Sequence, residues 1–311
     1  MKILFDSKSS QVQVQQETGT RLTDLYGAIQ ARGWEYWESP WTGEPLTYDY
    51  LQNFDVICIL TRLEQTAPPQ ANKPPPTHLP KYPPGTIPGP YTNPFPENTS
   101  FQYTPDEITA IQSVVGSGQA GLLLISDHGP FKTNPTDNQT INDCQLAAAF
   151  GVELQPATFE QGSAGLPQFD LLMSRANGSL NPLNYPLIDE WILKNVSAIQ
   201  VHNSCAIFPL QGLATTGLHA GPIQYWPIAA IPPGATNASP INTLPINGMA
   251  YALLVSYSNG YAIIAGNSGL AGNADSPFPA PGLFSAFDNK TFLLNCLEFL
   301  SPNSAARRSI A

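Results

Sequence analysis

Charged residues are scarce in this 311-residue sequence, at 12% of the total, and positive charge is the scarcer kind. Lys and Arg together number 13 against 23 Asp and Glu, which gives a formal net charge of −10. Proteins that bind nucleic acids neutralise the phosphates with clusters of Lys and Arg. Because this sequence is acidic, we expect no nucleic-acid partner.

Long apolar runs are also missing. No stretch approaches the roughly 18 consecutive apolar residues that a membrane-spanning helix needs. The opening MKILFDSKSSQ has no apolar region of the kind found in signal peptides. We therefore expect a cytoplasmic protein without a membrane partner, and the sequence leaves its oligomeric state open.

Cysteine pairs and cofactor motifs are absent as well. The four cysteines are widely spaced, with no Cys-x-x-Cys pair and no Cys/His ligand spacing, so we expect no disulfide framework. The motifs G-x-G-x-x-G and G-x-x-x-x-G-K-[ST] do not occur, which argues against nucleotide cofactors. We expect no cofactor. The alternative is a metal ion held by Asp6, Asp127, His128 and His202, although these residues lack close ligand spacing.

What the sequence does contain is an alternation of apolar strands and amphipathic helices. The runs KILF, FDVICIL and GLLLIS are typical of buried strands, whereas TRLTDLYGAIQARG and TPDEITAIQSVVGSG have helical periodicity. This alternation predicts a single α/β domain over 1–311, with a doubly wound, mostly parallel sheet and helices on both faces. Asn259-Gly260, between two β-rich runs, predicts a late β-hairpin.

Two segments fall outside this pattern. Residues 67–96 carry a proline at nearly every second or third position, which excludes a helix interior and a central strand. We expect a proline-rich insertion that covers a pocket as a lid, or alternatively an exposed polyproline II docking segment. Residues 302–311 are expected to form a flexible C-terminal tail.

Polar residues follow the carboxyl end of each predicted parallel strand. Ligands of open parallel sheets bind beyond these ends, where the connecting loops converge. The strand ends, together with the later segment IQVHNSC, supply the candidate site residues Asp6, Ser7, Arg62, Asp127, His128, His202, Ser204, Cys205, Asn267 and Ser268.

A catalytic role is predicted for three of these residues. His128 is the candidate general acid–base, and Asp127 or Asp6 would orient its ring. The other seven are candidates for binding substrate. The alternatives are that Asp6 and Asp127 only cap turns and that His202 is structural. Cys205 would need a neighbouring base to act as a nucleophile.

The order of five segments resembles the class I glutamine amidotransferase-like superfamily, in its ThuA-like and uncharacterised branches. These segments are KILFD, FDVICIL, YTPDEITAIQSVVGSGQAGLLLISDHG, YAIIAGNSGLAGN and FDNKTFLLNCLEFLS. The resemblance implies a flavodoxin-like sheet with a functional elbow after LLLIS. Amidotransferases of this superfamily carry a nucleophilic cysteine at that elbow, whereas this sequence has Asp127-His128-Gly129 there, so we do not expect glutamine hydrolysis.

These observations predict a small-molecule enzyme, a hydrolase or lyase that uses a His/Asp acid–base pair at the carboxyl ends of its strands. The alternative is a non-catalytic module of the same fold that binds a sugar, polyol or peptide. The two hypotheses differ in whether a carboxylate and an imidazole meet in a concave pocket.

Overall fold

The structure of the protein is a computed structural model. It describes residues 1–12, 21–39, 45–62, 101–135, 138–160, 167, 169–210, 223–240, 249–273 and 282–310. The proline-rich insertion predicted at 67–96 lies outside the described residues.

The described residues form twelve β-strands and six α-helices. The strands are β1 (Lys2–Phe5), β2 (Glu35–Glu38), β3 (Val56–Leu60), β4 (Gly121–Ile125), β5 (Val152–Glu160), β6 (Leu171–Ser174), β7 (Ala198–Val201), β8 (Ser204–Pro209), β9 (Ile223–Ala230), β10 (Thr236–Asn237), β11 (Ala250–Tyr257) and β12 (Gly260–Ala265). The helices are α1 (Thr23–Ala31), α2 (Tyr48–Leu51), α3 (Pro105–Gly116), α4 (Ile141–Ala149), α5 (Asn289–Leu300) and α6 (Ala305–Ile310).

Ten strands form one sheet in the order β10-β5-β8-β11-β12-β4-β3-β1-β2, with β9 paired to β11. The run β2-β1-β3-β4-β12 is parallel throughout. It reproduces the 2-1-3-4-5 strand order of flavodoxin-like sheets, with β12 as the fifth strand. This confirms the predicted α/β fold with a mostly parallel core.

The other half of the sheet is antiparallel. It begins with the β11–β12 hairpin, which confirms the late hairpin predicted at Asn259-Gly260, and continues through β8, β5 and β10. The segment SAIQVHNSCAIFPL forms two strands, β7 and β8. β8 joins the main sheet, whereas β7 pairs with β6 in a separate two-stranded antiparallel sheet, the β6–β7 ribbon.

Helices cover both faces of the main sheet, as the sequence predicts. Successive residues of each central strand point to opposite faces, so Ile3 and Phe5 join one buried cluster and Leu4 joins the other. α1, α5 and the β6–β7 ribbon contribute to the first cluster, and α2, α3 and α4 to the second. α3 begins with a capping box between Thr104 and Glu107, with Pro105 at its first position.

The C-terminal segment contains a short helix. α6 lies within the residues for which we expect a flexible tail, and its Ala306 is buried. Arg307 Nη2 donates a hydrogen bond to the carbonyl oxygen of Asn259 in the β11–β12 turn, at 2.9 Å. Among the residues that the structure describes, no helix is both long enough and apolar enough to span a bilayer.

Candidate functional site

Most of the predicted site residues lie in two places along one edge of the sheet. β1, β3, β4 and β12 are parallel and in register, with Ile125 of β4 opposite both Leu60 and Ala265. The side chains that follow these strands therefore share an edge. The ends of β1 and β3 carry a buried ion-pair cluster, and the ends of β4 and β12 border a cavity.

The ion-pair cluster consists of Asp6, Lys8, Arg62 and Glu107. Arg62 Nε donates to Asp6 Oδ2 at 2.7 Å, and Arg62 Nη2 lies 3.2 Å from Glu107 Oε1. Lys8 Nζ lies 3.1 Å from the same Glu107 oxygen. The side chains of Asp6, Arg62 and Glu107 are fully buried, and a buried charge needs such partners because burial removes its hydration.

This arrangement separates three predicted site residues from the cavity. Asp6 and Arg62 neutralise each other, and the Arg62 guanidinium carbon lies 4.0 Å from the centre of the Tyr103 ring. Ser7 is buried, and its hydroxyl accepts a hydrogen bond from Ser39 Oγ at 2.9 Å. None of Asp6, Ser7 and Arg62 lines the cavity. The structure therefore does not bring Asp6 together with His128.

Burial and charge shift three pKa values around the cluster. Burial raises the pKa of Glu107, but Arg62 and Lys8 lower it more strongly, to about 2. Burial also lowers the pKa of Arg62, but Asp6, Tyr103 and Glu107 raise it above its ordinary value. Asp143 differs, because burial raises its pKa to about 7 although the Arg62 backbone N–H and the Tyr103 hydroxyl donate to Oδ1, each at 3.2 Å.

The cavity beyond β4 and β12, here called the strand-end cavity, has a volume of about 520 Å³. Its polar lining consists of Gln11, Arg21, Asp127, Gln200, Asn203 and Asn267. Its apolar lining consists of Phe131, Pro167, Phe169 and Leu283. The cavity is also lined by Gly269 and by His128, Asp170 and His202.

Asp127 organises the side of the cavity that the main sheet provides. Its Oδ1 accepts from the His128 backbone N–H at 2.9 Å and from Asn267 Nδ2 at 3.1 Å. Its Oδ2 accepts from Ser268 Oγ at 2.9 Å, and Ser268 Oγ accepts from Gln11 Nε2 at 3.0 Å. Asp127 thus caps its own turn and also joins β4 to the end of β12.

Gly266 allows β12 to end beside β8. A Cβ at this position would lie 2.3 Å from Ser204 Oγ and 2.6 Å from the Cys205 carbonyl oxygen. A glycine is therefore required for the close approach. Asn267 then reaches the turn after β7, where its Nδ2 donates to the Asn203 carbonyl oxygen at 2.8 Å.

Arg21 and Gln11 extend this network, and sequence reasoning missed both. Arg21 is 2% exposed, and its Nε donates to Gln11 Oε1 at 2.6 Å. Burial lowers the pKa of Arg21, and the negative charge of Asp127 opposes that shift. Neither residue directly follows a strand end, so no local pattern indicates them.

The carboxylate–imidazole pair of the cavity is Asp170 with His202. His202 Nδ1 lies 2.8 Å from Asp170 Oδ1, and Gln200 Nε2 donates to Asp170 Oδ2. The side chain of Asp170 is 1% exposed and that of His202 is 20% exposed. A carboxylate on Nδ1 fixes the tautomer and leaves Nε2 as the proton acceptor.

The antiparallel ribbon explains why Asp170 was missed. Asp170 precedes β6 and His202 follows β7, and the antiparallel pairing of Leu171 with Val201 places these two residues side by side. A polar residue that follows a strand is the signal that identifies His202. Asp170 precedes its strand, so this signal does not identify it.

His128 lies in the cavity but is held differently from the prediction. Its Nδ1 lies 2.7 Å from the Gly129 carbonyl oxygen, and its ring centre is 4.6 Å from that of Phe131. Asp127 contacts the backbone N–H of His128, so the hydrogen bond between these two residues does not involve the imidazole.

Ser204 and Cys205 are fully buried and do not line the cavity. Ser204 Oγ donates to the Cys205 carbonyl oxygen at 2.8 Å. Burial raises the pKa of the Cys205 thiol well above its ordinary value, which opposes formation of a thiolate. Within the described part of the chain, no group of three or more His, Cys, Asp or Glu side chains is arranged to hold a metal ion.

Comparisons with known proteins bear on the fold alone. No protein-family model matches the sequence, and no curated protein sequence matches it. Among solved structures, the mmIFT52 N-terminal domain is similar at 9% identity and a TM-score of 0.55, covering 96% of this chain and 97% of that domain.

Two further solved structures have lower scores. The cytoplasmic protein STM1381 from Salmonella typhimurium LT2 has 12% identity and a TM-score of 0.49, covering 97% of this chain and 100% of its own. A ThuA-like protein from Bacteroides uniformis ATCC 8492 has 12% identity and a TM-score of 0.43, covering 99% of this chain and 94% of its own.

Proposed function

We propose that this protein is a small-molecule hydrolase in which His202 is the general acid–base and Asp170 orients it. The observation that carries the proposal is the Asp170–His202 pair, 2.8 Å apart on the wall of the strand-end cavity. A volume of about 520 Å³ falls within the range of small-molecule sites. The order of sequence segments and the 2-1-3-4-5 core together support a place in the amidotransferase-like superfamily.

The proposed reaction is hydrolysis of a carboxylic ester by water. His202 Nε2 takes a proton from water as the water oxygen bonds to the ester carbonyl carbon. The carbon–oxygen bond to the leaving group then breaks, and His202 returns the proton to the leaving oxygen. Asp170 keeps its hydrogen bond with Nδ1 of the ring and stabilises the imidazolium that forms. Arg21 supplies positive charge at the cavity, where the transition state carries negative charge.

The pair at His202 is better suited to this step than His128. Both rings have Nδ1 hydrogen-bonded to an oxygen, but His202 faces a carboxylate and His128 faces a neutral carbonyl. A carboxylate stabilises the protonated ring more strongly than a carbonyl does. The acid–base role that the sequence predicts for His128 is therefore assigned here to His202.

The test compares His202→Gln, Asp170→Asn and His128→Gln. We expect His202→Gln to lower kcat/KM for p-nitrophenyl butyrate by about 100-fold or more, since general acid–base groups contribute about 10²–10⁴-fold. Asp170→Asn should lower kcat more than it raises KM, because it disturbs the tautomer of His202 and leaves the cavity walls in place.

His128→Gln separates the two histidines. A larger loss in this variant than in His202→Gln would restore His128 as the acid–base group. A rate in the unmodified protein no higher than in His202→Gln would contradict hydrolysis and leave the non-catalytic binding module as the function.

A further inference from the structure

The polar and the apolar side chains of the strand-end cavity differ in how much of their surface is left to interact with a ligand. Most of the polar side chains are already hydrogen-bonded within the protein. Asp127 accepts three hydrogen bonds, and Asn267 Oδ1 accepts from the Gly269 backbone N–H at 3.0 Å. Asp170 is bonded to His202 and Gln200. Both N–H groups of Asn267 Nδ2 already donate, so a ligand hydroxyl placed against them would compete with an existing bond, and a polar group left unpaired costs free energy.

The apolar side chains of the cavity remain partly exposed to solvent. Phe169 is 52% exposed, although it lines the cavity. Phe131 and Leu283 are only partly buried, and the Phe131 ring extends the surface of the His128 ring. Burial of exposed apolar surface is the main favourable term in ligand binding of this kind. The walls therefore gain most from a ligand that brings its own apolar body.

We propose that the substrate of this cavity is an ester with an aromatic or aliphatic body, which packs on Phe131, Phe169 and Leu283 and places its carbonyl beside His202. This rests on the proposed function for the reacting group and goes beyond it in naming the class of substrate. The geometry disfavours sugars and polyols, because most of the polar side chains that their hydroxyl groups would meet are already hydrogen-bonded within the protein.

The experiment measures binding separately from turnover. Two acetate esters, the aromatic 2-naphthyl acetate and the hydroxylated glycerol monoacetate, are titrated into the His202→Gln protein, which is expected to turn them over about 100-fold or more slowly than the unmodified protein. We expect one 2-naphthyl acetate per chain and an affinity at least 100-fold higher than that for glycerol monoacetate. Equal affinity, or tighter binding of glycerol monoacetate, would overturn the proposed substrate class.

Two phenylalanine substitutions locate the binding surface. Phe169→Ser in the same background should weaken 2-naphthyl acetate binding about tenfold, since half of a Phe side chain loses its apolar partner. Phe287→Ser is the matched control, because Phe287 is 55% exposed and does not line the cavity. An equal effect of the two substitutions would show binding elsewhere on the surface and would contradict the proposal.

The outcomes for substrate class and for function are distinguishable. Phe169-dependent binding without hydrolysis in the unmodified protein would keep the apolar ligand and reject the hydrolase. His202-dependent hydrolysis of both esters at equal kcat/KM would keep the hydrolase and reject the apolar ligand.

Discussion

At the scale of single residues, two carboxyl groups near the Arg62 guanidinium behave in opposite ways. Glu107 faces two cations, and its pKa falls to about 2. Asp143 receives only neutral donors at Oδ1, so burial dominates and its pKa rises to about 7. Glu107 therefore contributes stability that is lost as the pH falls from about 4.5 to 2. The contribution of Asp143 is full below about pH 4 and is lost as the pH rises through 7.

Replacement of Asp143 by Asn tests this difference. The amide oxygen can still accept the two hydrogen bonds at Oδ1, and the side chain no longer ionises. We expect Asp143→Asn to be more stable than the unmodified protein at pH 8, with an advantage that grows by about 2 kcal/mol between pH 5 and pH 7. Urea unfolding across this range measures the free energy.

A surface carboxylate serves as the control for that experiment. Asp189 pairs with Arg175 at 2.8 Å, and both side chains are more than two-fifths exposed. Asp189→Asn should change the free energy of unfolding by less than about 1 kcal/mol. If the advantage of Asp143→Asn were the same at every pH, ionisation of Asp143 would not be its cause.

At the scale of elements, the end of β12 controls the contact between the main sheet and the turn after β7. Gly266→Ala would place a Cβ against a backbone carbonyl of β8. We expect it to destabilise the protein by about 1–3 kcal/mol, as overpacking does, and to lower the proposed esterase activity by displacing Asn267. Gly27→Ala is the control, because no atom lies within 4 Å of the added Cβ in α1, and it should stabilise by up to about 1 kcal/mol. Thermal unfolding of both variants measures whether each substitution lowers or raises the stability.

The elements also explain how far the sequence could predict the site. Asp127 and Asn267 were found because they directly follow parallel strands, whose carboxyl ends always share an edge. Asp170 was not found, because its partner His202 is brought to it by the pairing of the β6–β7 ribbon. Arg21 was not found, because its partner is Gln11. No local periodicity reveals either contact. Asp6 and Arg62 lie at the predicted edge, but a sequence does not show that two such charges neutralise each other in the interior.

At the scale of the whole molecule, the ion-pair cluster lies at the ends of β1 and β3. The strand order of the sheet reverses between these two strands, and flavodoxin-like folds bind ligands at this point. In this protein that point holds buried charges, and the strand-end cavity lies beside β4 and β12 instead. In the parallel core, β1, β3, β4 and β12 were predictable because they are continuous apolar runs, whereas β2 begins and ends with Glu. Apart from the β11–β12 hairpin, the antiparallel half was not predictable, because polar residues interrupt β5 and β9 and long-range pairing decides their position.

Substitution of Arg62 tests whether the cluster is structural. Arg62→Met leaves Asp6 and Glu107 buried without their main partner and should cost about 3–5 kcal/mol. Activity per folded molecule should stay unchanged, because Arg62 does not line the cavity. A loss of kcat/KM with little loss of stability would instead support the substrate-binding role that the sequence predicts for Arg62. Denaturant unfolding and esterase assays on the same samples measure both quantities.

The β6–β7 ribbon is separate from the main sheet, whose strand β4 precedes Asp127. The ribbon is hydrogen-bonded to the start of α5. Asn289 Oδ1 accepts from the Gln200 backbone N–H at 2.9 Å, and Asn289 Nδ2 donates to the Gln200 carbonyl oxygen at 2.6 Å. The gap between His202 and the Asp127 network therefore depends on how α5 holds the β6–β7 ribbon as well as on the hydrogen bond from Asn267 to Asn203. We expect substitutions at Asn289 to widen or narrow the space available to the proposed ester while the side chains that line the cavity stay the same.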